Sequence, residues 1–504
     1  MRTNILIGGK AGQGINKISQ IISEVLSDYG YFTFNYRDYQ SLIRGGHNFN
    51  ILCFSEKEIS SHDNGLDFII ALDENTIEKH KKRLNKGGII LDYKTFDNLS
   101  KNLNIALSGA LAKILGIKKE DFLKVIKKNF KDKKAINSAL EGYNSREEKT
   151  KLKKTKKKIK IISGSQAVAI GAMNSNLNCY IGYPMTPATG VMHELASMQK
   201  KNKHFVFQSE NEVGAINQAL GASFAGAVTM TGTSGGGFDL MNEGLSLQGM
   251  SEIPITVYLA SRPGPATGVP TYTAQSDLNI ALYGGHGEFP RVVTLPGDAK
   301  ESEKITNELL YLSNKHHILS VILSDKHLAE SEYSFVESKN KFLKVERKLK
   351  AGIRKASSYE INLSGNTTED GNITKKNVDK RFEKLKDVKK ELNKFETYKI
   401  YGKKNSKNLI IGTGSTKGAI IDSIKDLDVK FLQVIYVSPF DKKIGSELKK
   451  AKKIILVENN KTAQLGDLIK KETGIEIKDK ILKYDGRPFC CDELKKEFIR
   501  RLKR

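Results

Sequence analysis

The sequence predicts an α/β protein built from three doubly wound units. One observation is alternation. Short apolar runs such as Asp67-Phe68-Ile69-Ile70-Ala71-Leu72-Asp73, Ala227-Val228-Thr229-Met230-Thr231 and Lys453-Ile454-Ile455-Leu456-Val457-Glu458 take turns with helical stretches, the pattern of buried parallel strands and crossover helices. A second is that the unusual loops, rich in Gly, Pro, Ser and Thr, follow strands, where ligands collect in open α/β sheets. The third is charge. A run over 147–160 and a lysine-rich, strand-poor stretch over 331–405 divide the apolar blocks. The expected organisation is a domain over 1–146, a linker over 147–160, a domain over 161–330, a largely helical surface connection over 331–405 and a domain over 406–504.

In the first domain, residues 4–7 read as a short strand, Gly8-Gly9-Lys10-Ala11-Gly12-Gln13-Gly14 as a glycine loop and residues 15–26 as an amphipathic helix. Gly12 and Gly14 let backbone amides approach an anion at the helix start. Neither the dinucleotide nor the P-loop pattern is satisfied, so a plain tight connection is an equal reading. Strands follow at 67–73 and 88–92. Between them and the helix, Arg44-Gly45-Gly46 presents a cation beside exposed backbone, or is simply a solvated loop.

The second domain begins with a strand at 159–162 and a helix of small residues at 164–173. Its most informative stretch is Cys179-Tyr180-Ile181-Gly182-Tyr183-Pro184-Met185-Thr186-Pro187-Ala188-Thr189, a strand, a turn stiffened by two prolines and a helix start. Pro187 suits the first helical position, which makes Thr186 the expected N-cap and the turn a seat for a small anion. An ordinary capped helix fits the same residues. Gln208-Ser209-Glu210-Asn211-Glu212 leads into a helix of small residues. The strand 227–231 ends in Gly232-Thr233-Ser234-Gly235-Gly236-Gly237 before a helix over 238–247. The strand 254–260 ends in Ser261-Arg262-Pro263-Gly264-Pro265-Ala266-Thr267-Gly268. In the last domain, strands are expected at 409–414, 431–437 and 453–458.

Bulk properties narrow the function classes. The chain has 504 residues, 39% hydrophobic and 28% charged, the profile of a soluble globular protein. No apolar run approaches the roughly 20 residues of a membrane span, and the short apolar start lacks a signal peptide's pattern; the expected location is cytoplasmic, with no membrane. Cys53, Cys179, Cys490 and Cys491 include no Cys-x-x-Cys, so no disulfide scaffold, metal site or iron–sulfur cluster of its own is expected. The net charge of +26 comes in lysine blocks without interleaved aromatics, and nucleic acid is not an expected partner.

Several motifs in order resemble those of the 2-oxoacid:ferredoxin oxidoreductase family, in the form of an α subunit with a γ domain fused in front. They are the Tyr-Pro-x-Thr-Pro turn, Gln-Ser-Glu-x-Glu, Arg-x-Gly-Pro-x-Thr-Gly, Gln275-Ser276-Asp277-Leu278, Tyr283-Gly284-Gly285-His286-Gly287-Glu288 and Asp485-Gly486-Arg487-Pro488-Phe489, with the glycine loop and Arg44-Gly45-Gly46 in front. The resemblance makes the three units a γ-type α/β domain, a thiamine pyrimidine-binding domain and a transketolase-C-terminal-like domain. It implies oxidative decarboxylation of a 2-oxoacid with thiamine diphosphate, coenzyme A as acyl acceptor and ferredoxin as electron acceptor. The Arg262 loop is nearer the 2-oxoglutarate branch than the pyruvate enzymes. A separate β subunit would hold Mg²⁺, the diphosphate and a [4Fe-4S] cluster, in an (αβ)₂ assembly.

Thiamine needs a carboxyl group at its pyrimidine nitrogen, and the resemblance places Glu212 there. On a helix, Glu212 shares a face with Ala215, Ile216, Ala219 and Ser223, surroundings that raise a carboxyl pKa, while Glu210 points roughly 200° away. Ser209-x-x-Glu212 is equally a capping box. The resemblance further implies that Thr186 and Arg262 clamp the substrate carboxylate, that Thr233 and Ser234 line the cofactor pocket, and that Gly12, Gly14 and Arg44 contact coenzyme A or a subunit. The family usually has glycine where Pro263 stands. Two other readings fit parts of the chain: a ferredoxin-independent thiamine enzyme of transketolase or dehydrogenase type, and a non-catalytic polyanion-binding assembly protein.

Overall fold

The computed structural model describes all residues except 1, 42–44, 100, 101, 338–340, 348, 350, 351 and 504. The chain forms two compact units, Met1–Ile162 with Ser331–Lys339 and Cys490–Arg504, and Ser163–Glu330 with Asn340–Phe489.

The first unit carries a seven-stranded sheet in the order Leu84–Asp92, Leu66–Ala71, Arg2–Ala11, Gly45–Ser55, Phe32–Asp38, Glu332–Val336, Ile159–Ser163. It is mixed rather than parallel. Arg2–Ala11 runs parallel to Leu66–Ala71 and antiparallel to Gly45–Ser55, which pairs antiparallel with Phe32–Asp38. The sequence pattern assigns no strands to this antiparallel pair and ends the first strand at residue 7. Its ladder instead runs on to Ala11 through an irregularity after Gly9. The helices Ile15–Asp28 and Leu103–Ile114 bury Ile18, Ile22, Val25, Ala106 and Ala110 in the core of this unit.

Two expected boundaries shift. The strand at 159–163 extends the first sheet instead of opening the second domain. The 147–160 linker is tied down, with Lys149 and Thr150 N–H donating to Ile114 O and Thr155 N–H to Tyr29 O. The last helix, Cys491–Leu502, belongs with the first unit. Cys491 N–H donates to His62 O, Asp492 accepts from Asn64 N–H, and Phe498 is fully buried.

The second unit holds two sheets. One follows the order Tyr436–Ser438, Arg291–Thr294, Leu319–Asp325, Ile255–Ser261, Thr229–Thr233, Cys179–Gly182, Phe205–Gln208, and all but the first are parallel. The other follows Tyr398–Gly402, Lys430–Val434, Asn408–Thr413, Lys453–Glu458, Asp479–Leu482. One apolar core, with Leu259, Leu323, Leu409, Leu432 and Leu456, runs through both, which is why the last domain is part of this unit. The 331–405 connection contains strands at both ends and the helix Gly371–Leu392.

Candidate active site

Because the second sheet is parallel, the carboxyl ends of Cys179–Gly182, Thr229–Thr233 and Ile255–Ser261 lie along one edge, and the loops that follow them meet there. Thr186, Glu212, Thr233, Ser234 and Arg262 all come together at this edge.

Thr186 is not an N-cap. The helix after the turn is Thr189–Asn202, with Ala188 at the cap position and no side-chain cap bond. A turn closed by Thr189 N–H to Met185 O (3.1 Å) occupies the residues where the helix was expected to start. Thr186 is therefore held by its backbone: its carbonyl accepts from Arg262 Nη1 at 2.8 Å. The proline at 263 does not carry this guanidinium away from the threonine. Burial pushes the Arg262 pKa down, while the charges of Asp277 and Glu212 pull it up.

Glu212 is the first residue of the helix Glu212–Phe224, and Asn211 is its N-cap, accepting from Gly214 N–H at 2.8 Å. The capping-box reading thus fails: Ser209 lies outside the helix and donates to Gln218 Oε1 at 2.9 Å. Glu212 is only 3% exposed, and its Oε1 is buried without a hydrogen-bond partner. Glu210 is exposed.

Room for that carboxylate comes from glycine. The helix Gly235–Ser251 starts three residues before expectation, with Ser234 as an N-cap that makes no side-chain cap bond. A Cβ on Gly237 would fall 2.0 Å from Thr233 Oγ1 and 2.6 Å from Glu212 Oε1. Thr233 Oγ1 lies 3.9 Å from Met185 Sδ of the proline turn. Ser234 Oγ is buried without a partner, while the hydroxyls of Ser261 and Ser276 both face the Asp277 carboxyl.

Asp277 received no role from the sequence. Burial pushes its carboxyl pKa up, against the pull of Arg262, and a Cβ on Gly235 would meet its Oδ2 at 2.7 Å. The signals were present in Gln275-Ser276-Asp277-Leu278 and in three consecutive glycines, but neither names a contact. Two buried polar atoms lacking partners at one strand edge, Glu212 Oε1 and Ser234 Oγ, depart from the norm for a folded interior.

In the first unit, Gly14 is the left-handed N-cap of Ile15–Asp28 (φ 86°), and a Cβ there would meet Asn104 Nδ2 at 2.2 Å. Helix packing accounts for this glycine. Gly12 (φ 93°) faces open space. Arg44 lies outside the described residues.

Residues 170–397 match the family described as pyruvate flavodoxin/ferredoxin oxidoreductase, thiamine diphosphate-binding, and residues 4–101 match pyruvate ferredoxin/flavodoxin oxidoreductase. The 2-oxoacid:ferredoxin oxidoreductase subunit alpha of a Sulfolobus species is 31% identical over 100% of this chain and 97% of its own length. The chain belongs to the 2-oxoacid:ferredoxin oxidoreductase family, as an α subunit. The 2-oxoglutarate synthase subunit KorA of Archaeoglobus fulgidus is 38% identical over 34% of this chain and 51% of its own. A solved 2-oxoglutarate:ferredoxin oxidoreductase from Magnetococcus marinus, with 2-oxoglutarate, coenzyme A and succinyl-CoA bound, shares the fold, with a TM-score of 0.91, 24% identity and 99% of each chain covered. This oxidoreductase subunit therefore carries its family's thiamine-binding domain on the sheet that gathers Glu212, Thr233 and Ser234.

The buried atoms fit that cofactor. An aminopyrimidine ring needs one carboxylate at a ring nitrogen and further hydrogen-bonding groups around it. Glu212 Oε1 and Ser234 Oγ supply a carboxylate and a hydroxyl, and the glycine at 237 leaves room beside the carboxylate. Among the described residues, no helix is long and apolar enough to cross a membrane.

Proposed function

We propose that this chain is one half of a 2-oxoacid:ferredoxin oxidoreductase active site, holding the aminopyrimidine of thiamine diphosphate and the carboxylate of the substrate. The observation that carries the reading is Glu212, an acid at a helix start whose Oε1 is buried beside a glycine and has no partner. Thiamine diphosphate, when bound, supplies the electron sink for decarboxylation of a 2-oxoacid. Glu212 would hold the pyrimidine ring nitrogen and the proton exchanged there, and Ser234 and Thr233 would line the ring. Arg262, braced on Thr186 O, offers paired donors to the substrate carboxylate, and the Thr186 hydroxyl orients it. The Asp277 charge favours the charged form of Arg262 without pairing with it directly.

A separate β subunit would supply the diphosphate and Mg²⁺ site and the [4Fe-4S] cluster, in an (αβ)₂ complex that passes electrons to ferredoxin and the acyl group to coenzyme A. The first unit, with Gly12, Gly14 and Arg44, would contribute to the coenzyme A site and subunit contacts. 2-Oxoglutarate is the favoured substrate, supported by the KorA relatives and by the Arg262 loop. The test is to purify the chain with its native partner and assay viologen reduction with a panel of 2-oxoacids and coenzyme A. The Glu212→Gln complex should assemble and bind thiamine diphosphate but lose turnover. Turnover near that of the parent would refute the proton role.

A further inference from the structure

The same unit holds a second concavity, at the opposite end of the second sheet. Ile253 and His317 line it, just before the strands Ile255–Ser261 and Leu319–Asp325, whereas Ser234 and Arg262 follow their strands. Its volume is about 640 Å³, within the range of small-molecule sites. The floor is the carboxyl ends of three helices, at Phe224, Ser251 and His316. The wall is the lysine-rich connection, for which sequence reading found no role.

Seven lysine and arginine side chains face this cavity, against the two carboxylates of Glu252 and Glu360. Part of the charge is answered within the protein. Arg347 and Arg354 donate to Ser223 O (3.1 Å) and Phe224 O (2.7 Å), Arg381 pairs with Glu360 at 2.6 Å, Lys384 pairs with Glu252, and Lys315 pairs with Glu391 at 2.5 Å. Even counting those three carboxylates and about half a negative charge for each helix end, roughly two positive charges are left over. Arg347 Nε is buried without a hydrogen-bond partner. Burial pushes the Arg347, Lys355 and Lys384 pKa values down. Burial, with Arg347 and Lys384 as neighbours, takes His317 down to about 4. Burial at this cavity therefore disfavours the charges it gathers. Its lip is apolar: Leu349 and Ile353 are 44% and 63% exposed, near the Phe224 ring that the Arg354 guanidinium covers at 4.5 Å.

We propose that this cavity binds a chain of phosphates, carried either by a nucleoside triphosphate or by inorganic polyphosphate. Forked guanidiniums and neighbouring ammonium groups match successive phosphate oxygens, and a single small anion would leave most of the volume unfilled. A base, where present, lies against Leu349 and Ile353. The site is separate from the thiamine half-site and makes the lysine-rich connection a ligand-binding element.

The test uses the intact complex saturated with thiamine diphosphate and coenzyme A, titrated by calorimetry with ATP and, separately, with tripolyphosphate. Saturable binding is expected. Lys380 is exposed on Gly371–Leu392, so Lys380→Glu should leave the melting temperature unchanged and weaken binding at least about tenfold; Arg354→Glu should weaken binding as much and, by breaking the bond to Phe224 O, also lower the melting temperature. ATP binding more tightly than tripolyphosphate assigns the site to nucleotides, and equal affinities assign it to the inorganic chain. No saturable binding of either probe, or binding unaltered in both variants, overturns the proposal.

Discussion

Glu212 owes its environment to the residues that leave space around it. Gly237 is the tightest of these, since any Cβ there intrudes on both Thr233 and Glu212. Gly237→Ala should therefore weaken thiamine diphosphate binding by at least about tenfold, measured by cofactor titration of the complex, with the fold intact by circular dichroism. Thr186→Ala and Arg262→Ala act at the other end of the pocket. Each should raise KM for the 2-oxoacid by about 10–100-fold while cofactor affinity holds. An unchanged substrate dependence in steady-state assays would count against both roles. Residue types and their order were legible in the sequence at this scale. Contacts were not: the Thr186 cap and the Ser209 capping box are local patterns that the actual turn and the Asn211 cap displace. Asp277 stayed hidden because its surroundings, at Gly235, Ser261 and Arg262, come from other loops of the sheet.

Elements place these residues, and they depend on a few buried polar ties. Lys417, on the helix Thr416–Ser423, reaches Asp298, the N-cap of Ala299–His316, and Glu301 at 2.5 Å. Gln433 and Gly297 donate to the other Glu301 oxygen at 2.7 and 2.8 Å. Removing the lysine leaves two nearly buried carboxylates unanswered, so Lys417→Ala should cost about 3–5 kcal/mol in denaturant unfolding. Lys417 holds the Asp298 pKa below its ordinary 3.8, and the two carboxylates hold Lys417 above 10.5. The Asp298 contribution is present above pH 3.8 and is lost as pH falls through its folded value. The lysine contribution is present below pH 10.5 and is lost as pH rises through its folded value. Unfolding free energy should fall off at both extremes in the parent and flatten in Lys417→Met. Strands of the parallel sheets were legible because they are continuous apolar runs. The antiparallel strands Phe32–Asp38 and Gly45–Ser55 mix polar residues such as Asn35, Arg37 and Asn48 with apolar ones, so no clean period marks them as strands.

For the whole molecule, α/β class and the thiamine-domain location were legible, but chain order misleads about which segments fold together. The helix Cys491–Leu502 follows the last strand in sequence yet completes the first unit, burying Leu494 and Phe498. Phe498→Ala should cost that unit about 3–5 kcal/mol. Hydrogen exchange should speed up in the 61–65 loop, where Asn64 N–H donates to Asp492, and stay unaltered in Thr229–Thr233. Acid should act on the first unit as well. The His47 and His80 rings, Nε2 to Nε2 at 2.7 Å, are buried, and burial with Arg83 nearby takes His80 down to about 3. Stability from this neutral pair is complete above pH 6.5 and is lost as pH falls toward 3; a flat profile over that window would contradict it.

The central claim is that Glu212 activates the cofactor, and hydrogen–deuterium exchange at C2 of thiamine diphosphate bound to the complex tests it most directly. Glu212→Gln should slow that exchange by about 10²–10⁴-fold with the cofactor still bound. Equal exchange rates in the variant and the parent would contradict the assignment.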